Sequence, residues 1–309
     1  MSASDPPAPV AGPGGVVLRP AATVMVVRDG DHSTAPLEVL MVQRNLRADF
    51  VGGAHVFPGG AVDPADGGAV AEACARGRTD AEASETLGVA AGGLAYWVAV
   101  LRECFEEAGL LLAYGPDGGT LLSLDGPGEA ERFARLRSDV NAGRRRFLEV
   151  CAAEGLSLAV DRVHYFAHWI TPEGAHRRYD TRFFVAGAPP GQVPAHDAAE
   201  TVDAEWVRPA VALARHRRGE IELIFPTIRN LQAIGRFATA GELLAAAATA
   251  GRVPAILPRV VVDGRAVRIL LPGDAGYEEA VGGLPGGGAA DFDAAVRAVS
   301  EAANPRPDR

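Results

Sequence analysis

The chain has 309 residues, of which 48% are hydrophobic and 22% charged, with 39 acidic residues against 30 basic ones and a formal net charge of −9. That length and apolar content can bury a large core in one elaborated domain or two small ones. An acidic chain without a dense basic stripe is not expected to bind nucleic acid, because nothing would displace the counterions of a duplex. Every basic residue is arginine, which together with abundant alanine and glycine suggests a GC-rich bacterial genome. Cys74, Cys104 and Cys151 are odd in number and far apart, so they read as buried small hydrophobes in a reducing compartment rather than as a disulfide framework or zinc ribbon. No apolar run approaches the roughly 20 residues a bilayer requires. The start, MSASDPPAPVAGPGG, lacks the basic and apolar regions of a signal peptide, so a cytoplasmic protein with no membrane partner is expected.

Residues 1–17 are rich in Pro, Gly and Ala and are expected to be disordered, since they cannot bury enough surface to offset ordering entropy. Two β-rich segments, 21–28 and 37–43, are separated by a polar turn, and 54–57 adds a short strand. The stretch 67–93 is alanine-rich, with Asp80 as a candidate N-cap and Gly88 as a stop, which predicts one or two short helices. A helix is predicted over 94–108. A helical elaboration within 119–160 follows, with apolar residues at helical spacing in 129–140 and 144–154 and glycines 143 and 155 as punctuation. Its Arg144-Arg145-Arg146 cluster reads as a solvated helix start, with an anionic substrate or partner as the alternative. Strands are predicted at 161–170, 179–185 and 201–207, then helices after Pro209, at 226–237 and at 242–250, then strands within 259–271. The fold class is α/β, a mixed β-sheet sandwiched between α-helices, spanning 18–280. Residues 281–309 form a loosely tethered tail.

The chemically loaded segment is Arg102-Glu103-Cys104-Phe105-Glu106-Glu107-Ala108-Gly109-Leu110. On a helix, Glu103, Glu106 and Glu107 stand at i, i+3 and i+4 and leave from one face. The placement is locally unfavourable, because the negative end of the helix dipole repels each carboxylate by roughly 0.3–1 kcal/mol. Alone, such a face reads as a solvated acidic surface. Divalent cations that prefer hard oxygen ligands, Mg²⁺ or Mn²⁺, would relieve the repulsion. Upstream, Gly53-Ala54-His55-Val56-Phe57-Pro58-Gly59-Gly60 ends an apolar stretch in a glycine turn, from which a backbone carbonyl could reach a metal.

Taken together, Gly60, Asp66 and the run from Arg102 to Leu110 resemble the signature of the Nudix hydrolases: Gly, five residues, Glu, seven residues, Arg-Glu-apolar-x-Glu-Glu-x-Gly-apolar. The chain departs from it twice. Asp66 stands where Glu is usual, and residues 67–101 replace the seven-residue spacer. A box split in this way resembles the long-insert branch that includes the peroxisomal-type coenzyme A diphosphatases. The stretches FVGGAHVFPGG (50–60), WITPEGAHRRYDTRFF (169–184), FPTIRNL (225–231) and LPGDAGY (271–277) carry the resemblance along most of the chain. The coenzyme A signature is partial: residues 40–44 and 53–60 fit, but Asp49 stands where an arginine is expected.

The resemblance implies a Nudix fold with helical insertions and hydrolysis of a pyrophosphate linkage in a small nucleoside diphosphate derivative. It implies Gly60, Glu103, Glu106 and Glu107 as metal ligands, with Glu103 as a further ligand or proton acceptor. Arg102 is expected to orient the carboxylates, with Asp66 as its partner. Glu200 is a reserve base or ligand, though a surface charge is the plainer reading. Arg44, Arg178 and Arg182 are candidate substrate-binding cations, with strand-end solvation as the alternative for each. His55 beside the glycine turn reads as a satisfied, partly buried histidine. Three functions remain open: a diphosphatase for coenzyme A or acyl-coenzyme A, a Nudix hydrolase for another linked diphosphate such as ADP-ribose or NADH, and a nonenzymatic ligand sensor. A homodimer is left open.

Overall fold

The computed structural model describes residues 10–11, 16–30, 36–45, 52–175, 177–196, 201–263, 266–280, 298, 300, 303 and 304. In chain order the strands are β1 (Val10–Ala11), β2 (Val17–Asp29), β3 (Leu37–Arg44), β4 (His55–Val56), β5 (Gly59–Ala61), β6 (Ala113–Tyr114), β7 (Ser157–Leu158), β8 (Val163–Ile170), β9 (Arg178–Gly187), β10 (Thr201–Val207), β11 (Ala255–Ile256), β12 (Arg259–Asp263) and β13 (Ala266–Leu270). The helices are α1 (Gly68–Cys74), α2 (Asp80–Leu87), α3 (Leu94–Ala108), α4 (Glu129–Asn141), α5 (Phe147–Ala153), α6 (Pro209–Arg217), α7 (Phe225–Ile234) and α8 (Ala240–Ala248).

The main sheet runs β10-β3-β2-β9-β8-β11, with β1, β4 and β5 attached at its side. It is mixed: β2 with β9 and β8 with β11 are parallel, and the other pairs antiparallel. Strand alternation sends Ala22, Val24 and Val26 of β2 to one face, against Trp97, Leu101 and Phe105 of α3. It sends Met25 and Val27 to the other face, against Ile228 and Leu231 of α7 and Leu243 of α8. The sheet is therefore covered by helices on both sides, as its near-continuous apolar strands require.

Helix α3 is apolar all round in its first half and is buried there on every side. Trp97 fixes it to the sheet: its indole N–H donates to Val163 O at 2.9 Å, and its ring meets Phe184 edge-on at 4.8 Å. The helix has no cap of its own, because Gly93 precedes it. The insertion supplies one. Asp80 of α2 accepts from the Gly92 and Leu94 amides at 3.0 Å each, and Ser84 Oγ accepts from Gly93 N at 2.9 Å. A side chain at Gly93 would strike the Ser84 backbone at 2.3 Å, so the contact admits only glycine. Asp80 thus caps α3 and not α2. Thr79 caps α2 through a reciprocal box with Glu82.

The other end of α3 is closed by the second elaboration. Gly109 turns the chain in the left-handed region at φ 69° and returns its N–H to Phe105 O. Arg137 and Asn141 of α4 donate to Glu106 O, and Thr201 Oγ1 donates to Glu107 O, so carbonyls that a helix end leaves open have partners.

Three expectations shift in detail. Strand β2 begins at Val17 rather than Ala21, and within the segment expected to be disordered Val10 and Ala11 pair with Leu18 and Val17. Helix α5 starts at Phe147, so Arg144 to Arg146 precede it, with Arg146 in the cap position and Arg144 on Asp139. In the tail, Asn304 is buried against α6, accepting from Arg217 at 2.9 Å and donating to Leu213 O at 2.7 Å. All three cysteines are buried and free. Among the described residues no helix is long and apolar enough to cross a membrane.

Candidate active site

The last turns of α3 lie over β5, and this crossing organises the carboxylates. Gly59 N donates to Glu107 Oε2 at 2.9 Å. Gly60 lies directly under Glu103: a Cβ at this position would stand 2.4 Å from Glu103 Oε1. Gly60 therefore lets the strand backbone approach the buried Glu103 more closely than any side chain would permit, while Gly59 lets the same strand lie close against Ala22 and Thr23 of β2.

Arg102 holds the cluster from the other side. Its Nε and one terminal nitrogen fork onto Asp66 at 2.8 and 2.9 Å, and that terminal nitrogen also reaches Ala61 O. The second terminal nitrogen donates to Glu103 Oε1 at 2.8 Å and Glu106 Oε2 at 2.9 Å. Asp66 ends a short 3₁₀ turn, Pro64–Asp66, in which Asp63 and Asp66 cap each other reciprocally. Asparagine could not make this fork, and the shorter aspartate suits a site packed against the turn's own backbone.

The electrostatics follow from one guanidinium facing Asp66, Glu103 and Glu106, with Glu107 a further carboxylate beside them. Burial would weaken the Arg102 charge, but the Asp66 hydrogen bonds and the Glu103 and Glu106 charges hold its pKa far above the ordinary arginine value. Burial pushes Glu103 up to about 7, helped by repulsion from Glu106 and Asp66 and opposed by Arg102. Asp66 is likewise raised by burial despite its fork. A site with this excess of carboxylate over cation favours additional positive charge.

The carboxylates open onto a cavity of about 470 Å³. Glu103, Glu107 and Gly60 form one wall. Arg44 and Arg19 stand at its edges, and the remainder is largely apolar: Trp169, Phe183, Ile224, Phe225, Val260 and Ile269. Arg44 Nε is buried with no hydrogen-bond partner among the described residues, so this cation has bonding capacity to offer inside the cavity.

Arg178 and Arg182 do not reach the cavity. On β9 the residues lining it are Tyr179, Thr181 and Phe183, and the period of two sends 178, 180 and 182 to the opposite face. Arg178 is buried there, with Nε on Thr171 O at 3.1 Å. Arg182 donates to Tyr96 OH at 2.9 Å, lies over that ring and pairs with Asp180. Asp180 also binds His168, and these two partners keep its pKa low against the opposing effect of burial. This buried polar group anchors α3 to β8 and β9. His55 is buried, 3.6 Å from Glu205, and its pKa is lowered by burial. Glu200 and Asp49 lie outside the described residues.

Among the described residues no three acidic, histidine or cysteine groups already converge as a metal cage. Arg102 accounts for part of this, since it draws Glu103 and Glu106 onto itself and Glu106 is not among the cavity residues. The donor chemistry nevertheless fits a hard divalent cation: carboxylate oxygens of Glu103 and Glu107 at a cavity wall beside a glycine backbone.

Two contributors escaped the sequence reading. Arg19 lies outside the strand expected from Ala21 onward, although it is in phase with Ala21 and Thr23, which line the cavity. The capping role of Asp80 carries no local signal, since its partners are 12 and 14 residues away.

Comparison with known proteins gives the family and the fold. Residues 73–234 match the family described as the NUDT19 Nudix domain. The human acyl-coenzyme A diphosphatase NUDT19 is 30% identical over 276 residues, covering 78% of this chain and 72% of its own length. The Gallus gallus protein of the same name is 30% identical over 268 residues, covering 73% and 70%. A NUDIX hydrolase crystal structure from Alicyclobacillus acidocaldarius superposes with a TM-score of 0.58 at 27% identity, covering 77% of this chain and 99% of that one. On these matches, and with its box glycine packed against the glutamate helix that the forked arginine holds, the chain belongs to the Nudix hydrolases, in the NUDT19 family.

Proposed function

We propose that this Nudix hydrolase is a diphosphatase that cleaves the pyrophosphate linkage of coenzyme A or acyl-coenzyme A, with Mg²⁺ or Mn²⁺ as cofactor. The observation that carries the reading is the cavity itself, with Glu103 and Glu107 on one wall, an arginine with unused donors at the edge and a long apolar remainder. A diphosphate carrying an apolar arm matches that division. The relatives named acyl-coenzyme A diphosphatase support it.

In this reading Glu103, Glu106, Glu107 and the Gly60 carbonyl are the groups that would hold the cation. When bound, a divalent ion neutralises phosphate oxygens and lowers the pKa of water. The protein's own contributions are separate. Arg44 binds the diphosphate, and Arg102 sets the orientation of Glu103 and Glu106. Water attacks one phosphorus, the bridging P–O bond breaks, and the proton passes to a carboxylate, for which Glu103 is our assignment because burial gives it a raised proton affinity. The products are a phosphopantetheine-type monoester and adenosine 3′,5′-bisphosphate. We place the catalytic unit at 18–280, with the 67–93 insertion and the 119–160 helical elaboration bracing α3 at its two ends. The buried free thiols suit the cytoplasm.

The test is product analysis with coenzyme A, an acyl-coenzyme A, ADP-ribose, NADH and nucleoside triphosphates, with Mg²⁺, with Mn²⁺ and with EDTA. Cation-dependent cleavage of the coenzyme A compounds is expected. Cleavage of only another substrate would overturn the substrate assignment, and no cleavage of any would favour a ligand sensor.

A further inference from the structure

Strands β2 and β9 run parallel and in register, pairing Arg19 with Tyr179, Ala21 with Thr181 and Thr23 with Phe183. All six residues line the cavity. The rows differ in character. The carboxylates belong with the inner rows, since Glu107 is bonded to Gly59, the neighbour of Thr23, and Glu103 lies against Gly60, the neighbour of Ala22. Across the strands from them, Phe183 on β9 and Trp169 on β8 make the wall apolar. The outermost row is a guanidinium beside a phenol ring, three residues or about 10 Å along the strand from the Ala22 row.

Arg19 is exposed, and within the described residues it has no hydrogen bond or ion pair. Arg28, on the same strand, shows the contrast: it is held by Glu38 and packs over Trp206. A strand arginine that lines the cavity with all its donors unused is placed for an anion brought by the ligand.

We propose that Arg19 and Tyr179 form the subsite for the phosphorylated nucleoside end of the substrate, with Arg19 binding the ribose phosphate that lies off the scissile diphosphate. The assignment rests on the coenzyme A reading above and divides the substrate over the sheet, the nucleoside along the strands from the carboxylates and the arm across them. The nucleoside lies at the Arg19 lip, the diphosphate at Glu103 and Glu107, and the thiol or acyl arm against Phe183 and Trp169. Arginine recognises the phosphate by charge and paired donors, and an aromatic ring beside it offers a face to a purine.

The experiment compares coenzyme A with 3′-dephospho-coenzyme A in the wild type and in Arg19→Gln, and measures binding of adenosine 3′,5′-bisphosphate and of AMP to the full chain in EDTA by calorimetry. The wild type should prefer coenzyme A about ten-fold in kcat/KM, mainly through KM, and the preference should shrink with salt because the arginine is exposed. Arg19→Gln should lose about ten-fold on coenzyme A and far less on the dephospho compound, and should bind the bisphosphate no better than AMP. Equal losses on both substrates, or an unchanged preference in both assays, would overturn the subsite. If the protein cleaves neither compound yet binds the bisphosphate in an Arg19-dependent way, the hydrolytic reading fails and the subsite stands. Cleavage of coenzyme A with a preference indifferent to Arg19 gives the converse.

Discussion

Replacing Gly60 with alanine tests the geometry of the carboxylate cluster most directly. The added Cβ would stand 2.4 Å from Glu103 Oε1, 2.7 Å from Cδ and 2.9 Å from Oε2. Ordinary contact needs about 3.4 Å, so the carboxylate must retreat by roughly 1 Å. Glu103 is buried and its Oε1 is already held by Arg102 at 2.8 Å, so retreat loosens that bond as well. Overpacking of this kind costs about 1–3 kcal/mol. A misplacement of about 1 Å in a catalytic group can cost about 10²-fold in rate. The expected variant is therefore folded, melts several degrees lower and turns over its substrate about 10²-fold more slowly, mostly in kcat. Steady-state kinetics and a thermal melt on the same preparation read both quantities. Gly59→Ala is the contrast, because its Cβ would strike the Thr23 and Ala22 backbone at 2.5–2.6 Å, and it should damage the fold itself. Gly60→Ala with wild-type kcat would show that the position of Glu103 does not limit the reaction, and would refute its assigned role.

Glu107→Gln keeps an acceptor for the Gly59 amide but removes a charge, so turnover should fall on the order of 10²- to 10⁴-fold with little change in melting temperature. Asp66→Ala leaves the Arg102 fork without its partner and should cost about 3–5 kcal/mol of stability by chemical denaturation, with reduced activity. Arg182→Met should lower stability while leaving KM unchanged, whereas Arg44→Ala should raise KM; the reverse pattern would restore Arg182 to the substrate site. The Glu103 pKa, raised from 4.5 to about 7, makes a signed prediction for the metal-free protein. The folded state binds this proton more tightly than the unfolded one, so the stabilisation is fully present below about pH 4.5 and is lost as pH rises through about 7. Melts in EDTA should decline across that window, and Mg²⁺ or Mn²⁺ should raise the melting temperature more at pH 8 than at pH 6.

The parts of the site that could be read from the sequence are those whose physics is local. Helix α3 was predicted at its observed bounds because its apolar run begins after glycines and ends in a glycine that can adopt positive φ. The glycine turn was legible too, but the strand β5 that follows it and the crossing of α3 over that strand were not. Arg178 and Arg182 failed for a different reason. A strand pattern gives which residues share a face, but not which face meets the cavity, and Tyr179, Thr181 and Phe183 belong to the other set. Asp80, Ser84 and Arg137 were opaque because their work is done on a helix distant in sequence.

The insertion that splits the box and the helical elaboration that follows it both make contacts with α3. A helix with glutamates in its last turns is destabilised at that end by its own dipole and by mutual repulsion. Here the carbonyls of Glu106 and Glu107 are met by Arg137, Asn141 and Thr201, and the opposite end is capped by Asp80 and Ser84. N-terminal caps are worth about 1 kcal/mol each, and a cation at a helix C-terminus adds about 0.3–1 kcal/mol, up to about 2 when partly buried. Those sums are of the same order as the repulsion they oppose. Asp80 and Ser84 at one end of α3, and Arg137, Asn141 and Thr201 at the other, thus hold the helix so that a box interrupted by 35 residues still presents its two halves at hydrogen-bonding distance.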